Sequence, residues 1–202
     1  MCYSLQSSLY TFLFSFLVAL YLYSTNIPIH QTNGLILLSF IFMQLNDTII
    51  HYSINHSLEN LNYYTSKYLT TLILSLEIPL IYYFVYLLTG KRNILLEIIF
   101  GIIILYGFVY GINSCQDISI KKPDGYILWC QNTIQPLFKF IFLIGLLLAM
   151  WYYPNNIYKL LFYIIVISTF AFNYNNQTFG SRWCHHANLL SILLLLIYFI
   201  KG

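Results

Sequence analysis

The sequence predicts an all-α fold: a single domain over residues 1–202, built as a bundle of seven transmembrane helices. Three observations predict it. First, 59% of the residues are hydrophobic and only 7% are charged, against about 25% charged in an ordinary soluble domain. Second, seven runs approach the ~20 mostly apolar residues that cross a bilayer core. Third, the runs are continuous, as in residues 191–200, whereas barrel strands alternate apolar and polar positions. In lipid the backbone must satisfy itself, so continuous runs become helices.

The first run is Leu9 to Tyr23, closed by Ser-Thr-Asn and Pro28. Residues 1–8 hold no Lys or Arg and no Ala-x-Ala follows, so it is read as an uncleaved helix, not a signal peptide. The second runs from Gly34 to Tyr52. The third runs from Tyr68 to Leu88 and stops at Gly90-Lys91-Arg92. The fourth covers Ile94 to Ile112. The fifth covers Gln135 to Tyr153, before Pro154-Asn155-Asn156, and contains Lys139. The sixth covers Ile157 to Phe172, and the seventh Gly180 to Ile200. The connections are too short for a separate soluble domain. The expected partner is the lipid bilayer.

Composition excludes other classes. Disorder needs low hydrophobicity and high charge. Nucleic-acid binding needs a basic patch, and here a net charge of +3 is spread over scattered residues. No phosphate-cradling glycine loop and no Cys-x-x-Cys is present. The tyrosine and phenylalanine load, 20 and 16 residues, suits membrane interfaces in part and reflects composition in part.

Seven spans put the termini on opposite sides. Lysine and arginine do not decide which is which. Lys91, Arg92, Lys159 and Lys201 fall on one side; Lys67, Lys121, Lys122 and Arg182 fall on the other. Cys115 and Cys130 bracket the longest loop and suit a disulfide, which forms outside the cytosol. The sequons at Asn55 and Asn176 are glycosylation candidates on that same side. These features place the N-terminus outside or lumenal and the C-terminus in the cytosol.

An ionisable residue inside a span is costly and marks a candidate site. Asp47 and His51 are four residues apart on the second helix, hence on one face. The second helix ends where the seventh begins, so the pair shares a depth with Arg182, His185 and His186. That cluster offers an interfacial hydrogen-bonded group or, alternatively, a metal site. Imidazole and carboxylate ligate zinc, and three protein ligands plus water make a catalytic centre. Glu77 lies mid-span, two residues before Pro79. A carboxyl held neutral there could donate a hydrogen bond or carry a proton. Glu97 is placed to pair with Lys91 or Arg92.

Two short patterns carry a resemblance: Phe42-Met43-Gln44-x-x-Asp47 with His51, and Gly180-Ser181-x-Trp183-Cys184. Together they resemble small, uncharacterised multi-helix membrane proteins encoded by giant DNA viruses of protists. That family is expected to show Met-Gln-x-x-Glu followed by an aromatic residue; this chain keeps an acid, Asp47, and has His51 instead of the aromatic. The resemblance implies a viral membrane protein and no mechanism. The placement of His51 and of His185 or His186 is also similar to the alkaline ceramidase and progestin-receptor-like zinc hydrolases. Those expect His-x-x-x-His on the last helix, and here Leu189 follows His185 by four residues. A retinal protein needs a lysine in the middle of the last helix, and Lys201 is at its end. The leading expectation is a non-enzymatic membrane component, receptor-like module or small transporter. The alternative is an intramembrane zinc-dependent lipid hydrolase using His51, His185 or His186, and Asp47.

Overall fold

The computed structural model describes residues 3–130, 136–173 and 179–201. The described residues fold into seven helical rods and one small β-hairpin: α1 Leu5–Ser24, α2 Pro28–Asn55, α3 Glu59–Thr89, α4 Ile94–Ser114, α5 Pro136–Ala149, α6 Asn156–Asn173 and α7 Phe179–Lys201. The hairpin joins β1 Ile120–Lys121 to β2 Ile127–Leu128, antiparallel, with Ile120 opposite Leu128. Four rods, α1 to α4, are long and apolar enough by themselves to cross a membrane; the described apolar stretches of α5, α6 and α7 are shorter.

Local chemistry sets the helix ends. Ser4 and Ser7 cap α1 reciprocally, side chain to backbone at 3.2 Å each way. Pro28 occupies the first turn of α2, where its missing N–H costs nothing. Proline therefore starts α2 six residues earlier than the apolar run does. Gly90 ends α3 in the left-handed region, φ +64°, with its N–H on the Tyr86 carbonyl. Asn93 caps α4 by accepting from the Leu96 N–H, and Asn155 caps α6 by accepting from Ile157 and Tyr158.

Two helices outreach a bilayer. At 1.5 Å per residue, the 28 residues of α2 and 31 of α3 make rods of about 42 and 46 Å, against about 30 Å of hydrocarbon. The excess lies at their shared end. There α3 begins with the polar stretch Glu59–Tyr64 and passes through a π-helical turn, Thr65–Leu69.

α2 is the central rod and is buried along most of its length, whereas α4 is mostly exposed. This difference decides where polar residues can sit. Only a rod with little lipid-facing surface can carry Asn33, Ser39, Gln44, Asn46, Asp47 and His51, all buried. Hydroxyls inside the helices satisfy themselves on preceding carbonyls, as Thr32, Thr48, Ser75 and Thr169 do. The apolar core is built from Leu22, Leu37, Ile41, Ile78, Ile81 and Leu146, with rings such as Phe162 and Tyr153.

Small residues bring the rods close. Gly34 of α2 lies against the backbone of Ala19 and Tyr23 on α1, and Gly107 and Gly111 of α4 lie against Ser75 and Thr71 of α3. This Gly-x-x-x-Gly spacing on a small-residue seam is the way membrane helices pack without a hydrophobic driving force. Outward faces remain apolar, with Ile94, Leu95, Ile102 and Leu105 exposed on α4. Exposed tyrosines and a tryptophan border them at both ends: Tyr3, Tyr10, Tyr64 and Tyr68 at one, Tyr21, Tyr23, Tyr83 and Trp151 at the other.

Candidate functional site

The polar groups of the central helix lead to one end of the bundle, where the hairpin loop sits. Pro123, Asp124 and Gly125 make its turn. The Gly125 N–H closes onto the Lys122 carbonyl, and the Lys122 N–H onto that of Tyr126. Gly125 takes φ +88°, and a Cβ there would lie 2.7 Å from the Tyr3 carbonyl oxygen. Glycine is therefore required twice, by the backbone conformation and by the approach of the N-terminal segment.

A disulfide joins Cys115 to Cys130 at the foot of this loop, with 4.9 Å between their Cα atoms. The loop is then tied to α3. Asn62 donates to the Ser119 carbonyl and accepts from the Ser119 N–H, at 2.9 and 3.0 Å. Ser66 and Ser119 share a 2.7 Å hydroxyl contact, and the Ser119 hydroxyl accepts from the Cys130 N–H. Ser66 lies in the π-helical turn, a feature frequent at functional sites.

From this base the loop drives two side chains into the bundle. Ile127 and Trp129 are buried with Met43 and Ile50 of α2. The Trp129 indole N–H donates to the Asp47 carboxyl at 2.8 Å. Asp47 and His51 are both fully buried, and this donor to the acid comes from 82 residues away. Buried polar groups are satisfied or costly, and here a loop tryptophan satisfies one.

The loop also reaches α7. Tyr126 meets the His185 ring nitrogen at 2.6 Å. Arg182 pairs with Asp124 at 2.8 Å and lies over the Tyr126 ring, 4.3 Å from its centroid. Below these contacts, α7 joins the central helix. The Asn188 side-chain oxygen accepts from Gln44 at 3.1 Å and from Ser15 of α1 at 2.9 Å, and Ser191 donates to Ser15. One buried polar cluster thus joins α1, α2 and α7, and the hairpin packs over the end of the bundle nearest to it. Ser8 of α1 is also fully buried, and its hydroxyl finds no hydrogen-bond partner among the described residues.

The structure brings α2 and α7 together, the condition under which their polar residues, alike in depth, can form one cluster. It separates the histidines by partner: His185 meets Tyr126, and His51 is enclosed on α2. Among the described residues, no three His, Cys, Asp or Glu side chains gather to hold a metal ion. The side chains of Trp183 and Cys184, and the sequon at Asn176, lie outside the described residues. Asn55 is exposed at the last position of α2. Glu97 pairs with Arg92 through both carboxylate oxygens, at 2.7 and 2.9 Å, and this pair holds the Arg92 guanidinium above its ordinary range. Glu77 is buried in α3, away from the hairpin. Asn62, Ser66, Ser119 and Trp129 were missed by sequence reasoning. The one available signal was a tryptophan beside a bracketing cysteine.

The chain matches no family model, and no curated protein or solved structure is significantly similar to it.

Proposed function

We propose that the chain is a seven-span membrane protein acting as a receptor-like module, with the hairpin-covered polar cluster as its working end outside the cytosol. The observation that carries this reading is the seating of Trp129 on Asp47. A loop closed by a disulfide covers polar side chains collected on the most buried helix. A small polar ligand would be read by those groups when the hairpin lifts. The apolar outer surface, bounded at both ends by tyrosine, supports insertion across a bilayer. The disulfide supports an oxidising compartment on the hairpin side. The resemblance of two short patterns to giant-virus membrane proteins supports the reading of a viral membrane component. No observation favours the zinc-hydrolase alternative, in which His51, His185 or His186, and Asp47 would share a metal.

The test is labelling of intact cells with a membrane-impermeant maleimide. Cys2 and Cys184 are first replaced by serine. A Lys121→Cys variant is expected to label without permeabilisation, and a Lys91→Cys variant only after it. Labelling of Lys91→Cys first, or of both positions equally on intact cells, would overturn the reading.

A further inference from the structure

We propose that Glu77 is a proton-binding site in the middle of the bilayer, a carboxyl whose ligand is the proton itself. The inference rests on the membrane placement above and goes beyond the hairpin-covered cluster.

The chain has six acidic residues. Glu59 and Asp117 face water, and Glu97 and Asp124 face arginines. Asp47 accepts from Trp129. Glu77 is different. It is 2% exposed, and neither carboxyl oxygen has a hydrogen-bond partner among the described residues. A bare carboxylate in a dry interior is the least tolerable state for such a group, and a bound proton is the simplest way to remove its charge.

The surroundings supply no standing counter-charge at its level. Pairing of Asn46 with Thr70 fixes α2 against α3, and Glu77 is two turns from Thr70, on the same face. Asp47 and His51 of α2 then lie about 12 and 18 Å away along the helix axes, and His30 is at the opposite end. Gly107 against Ser75 fixes α4, and Gly145 against Ile78 fixes α5. The α4 group nearest in level is the Tyr106 phenol, with Tyr110 one turn nearer the hairpin and Glu97 two turns the other way. On α5 the cation is Lys139, five residues nearer the hairpin, about 7–8 Å along the axis. On α3 itself the groups are Lys67, and Tyr82 and Tyr83 beyond Pro79. Two residues from the carboxyl, Pro79 offers no N–H to the Ser75 carbonyl. The rod is thus weakest beside the acid, where bending would open a route for the proton.

The test is infrared absorption of the protein reconstituted in lipid at neutral pH, in H2O and D2O. The expected result is one protonated-acid carbonyl band. It should vanish in Glu77→Gln, persist in Glu77→Asp and in Asp47→Asn, and shift in D2O. Helical circular dichroism checks that each variant is folded. Absence of the band in the native protein would overturn the proposal. So would its loss in Asp47→Asn with retention in Glu77→Gln. A band that never shifts in D2O would show a trapped proton, which is no ligand, and would also overturn it. The maleimide labelling reads which side the hairpin faces and is blind to this band, so the two readings fail separately.

Discussion

Gly111→Ala tests the packing of α4 on α3 most sharply. A Cβ built on Gly111 stands 2.5 Å from the Thr71 hydroxyl oxygen and 2.6 Å from its methyl carbon. Thr71 is 1% exposed and β-branched, so its χ1 is stiff and it cannot step aside freely. Overpacking costs about 1–3 kcal/mol, and contacts this short against a stiff side chain belong at its upper end, about 2–3 kcal/mol. Alanine's better helix propensity returns up to about 1 kcal/mol. The expected net loss is about 1–2 kcal/mol, roughly a 5- to 30-fold fall in the folding equilibrium. Gly101 is the internal control, since a Cβ there meets nothing within 4 Å; Gly101→Ala should be neutral or stabilising by up to about 1 kcal/mol. Removing the obstacle should remove the cost. In a Thr71→Ala background, Gly111→Ala should cost less than about 0.5 kcal/mol, because contacting residues couple. The assay is reversible unfolding in mixed micelles followed by helical circular dichroism. A Gly111→Ala protein as stable as the native one, or a cost undiminished in the Thr71→Ala background, would refute the seam.

Three further outcomes follow from the hairpin end. Trp129→Phe removes one donor to Asp47 and should cost about 0.5–1.5 kcal/mol, the usual net worth of one hydrogen bond, read in the same unfolding assay; an unchanged midpoint would mean the indole contact carries nothing. Trypsin should spare the Lys121–Lys122 bond while the disulfide is intact and cut it after reduction, since the foot of the loop then opens; equal cutting in both states would count against the staple. If the hairpin end is lumenal, protein made in eukaryotic cells should carry a glycan at Asn55, seen as an endoglycosidase-sensitive gel shift lost in Asn55→Gln, and a native protein without the shift would argue against that orientation.

The rods were legible because each is an apolar run, and its continuity distinguishes it from the alternating pattern of barrel strands. Their true ends were not. Pro28 reads as a stop but works as a first-turn residue of α2. The stretch from Glu59 to Leu69 is too polar to look like part of a span, and it is helical because Asn62 and Ser66 hold the hairpin. The shared depth of Asp47 with the start of α7 was readable from topology. The partner of Asp47 was not, since nothing local links positions 47 and 129. The Arg92–Glu97 pair, by contrast, is a five-residue relation and could be read directly. Glu77 was legible as an oddity, and its isolation from any hydrogen-bond partner needed the packed structure.

The hairpin's contacts also impose a calendar on the protein's birth. The ribosome delivers the seat on α2 and α3 well before residues 115–130, so Trp129 can find Asp47 as soon as it emerges. The second set of partners comes last, because Arg182 and His185 belong to the final rod. Until then Tyr126 and Asp124 have no match on α7, and the roof is fastened on one flank only. Chains cut short after α6 would therefore hold a half-fastened roof, exposed to thiol exchange and to quality control. Completion of the last helix is what turns the nascent loop into a closed lid.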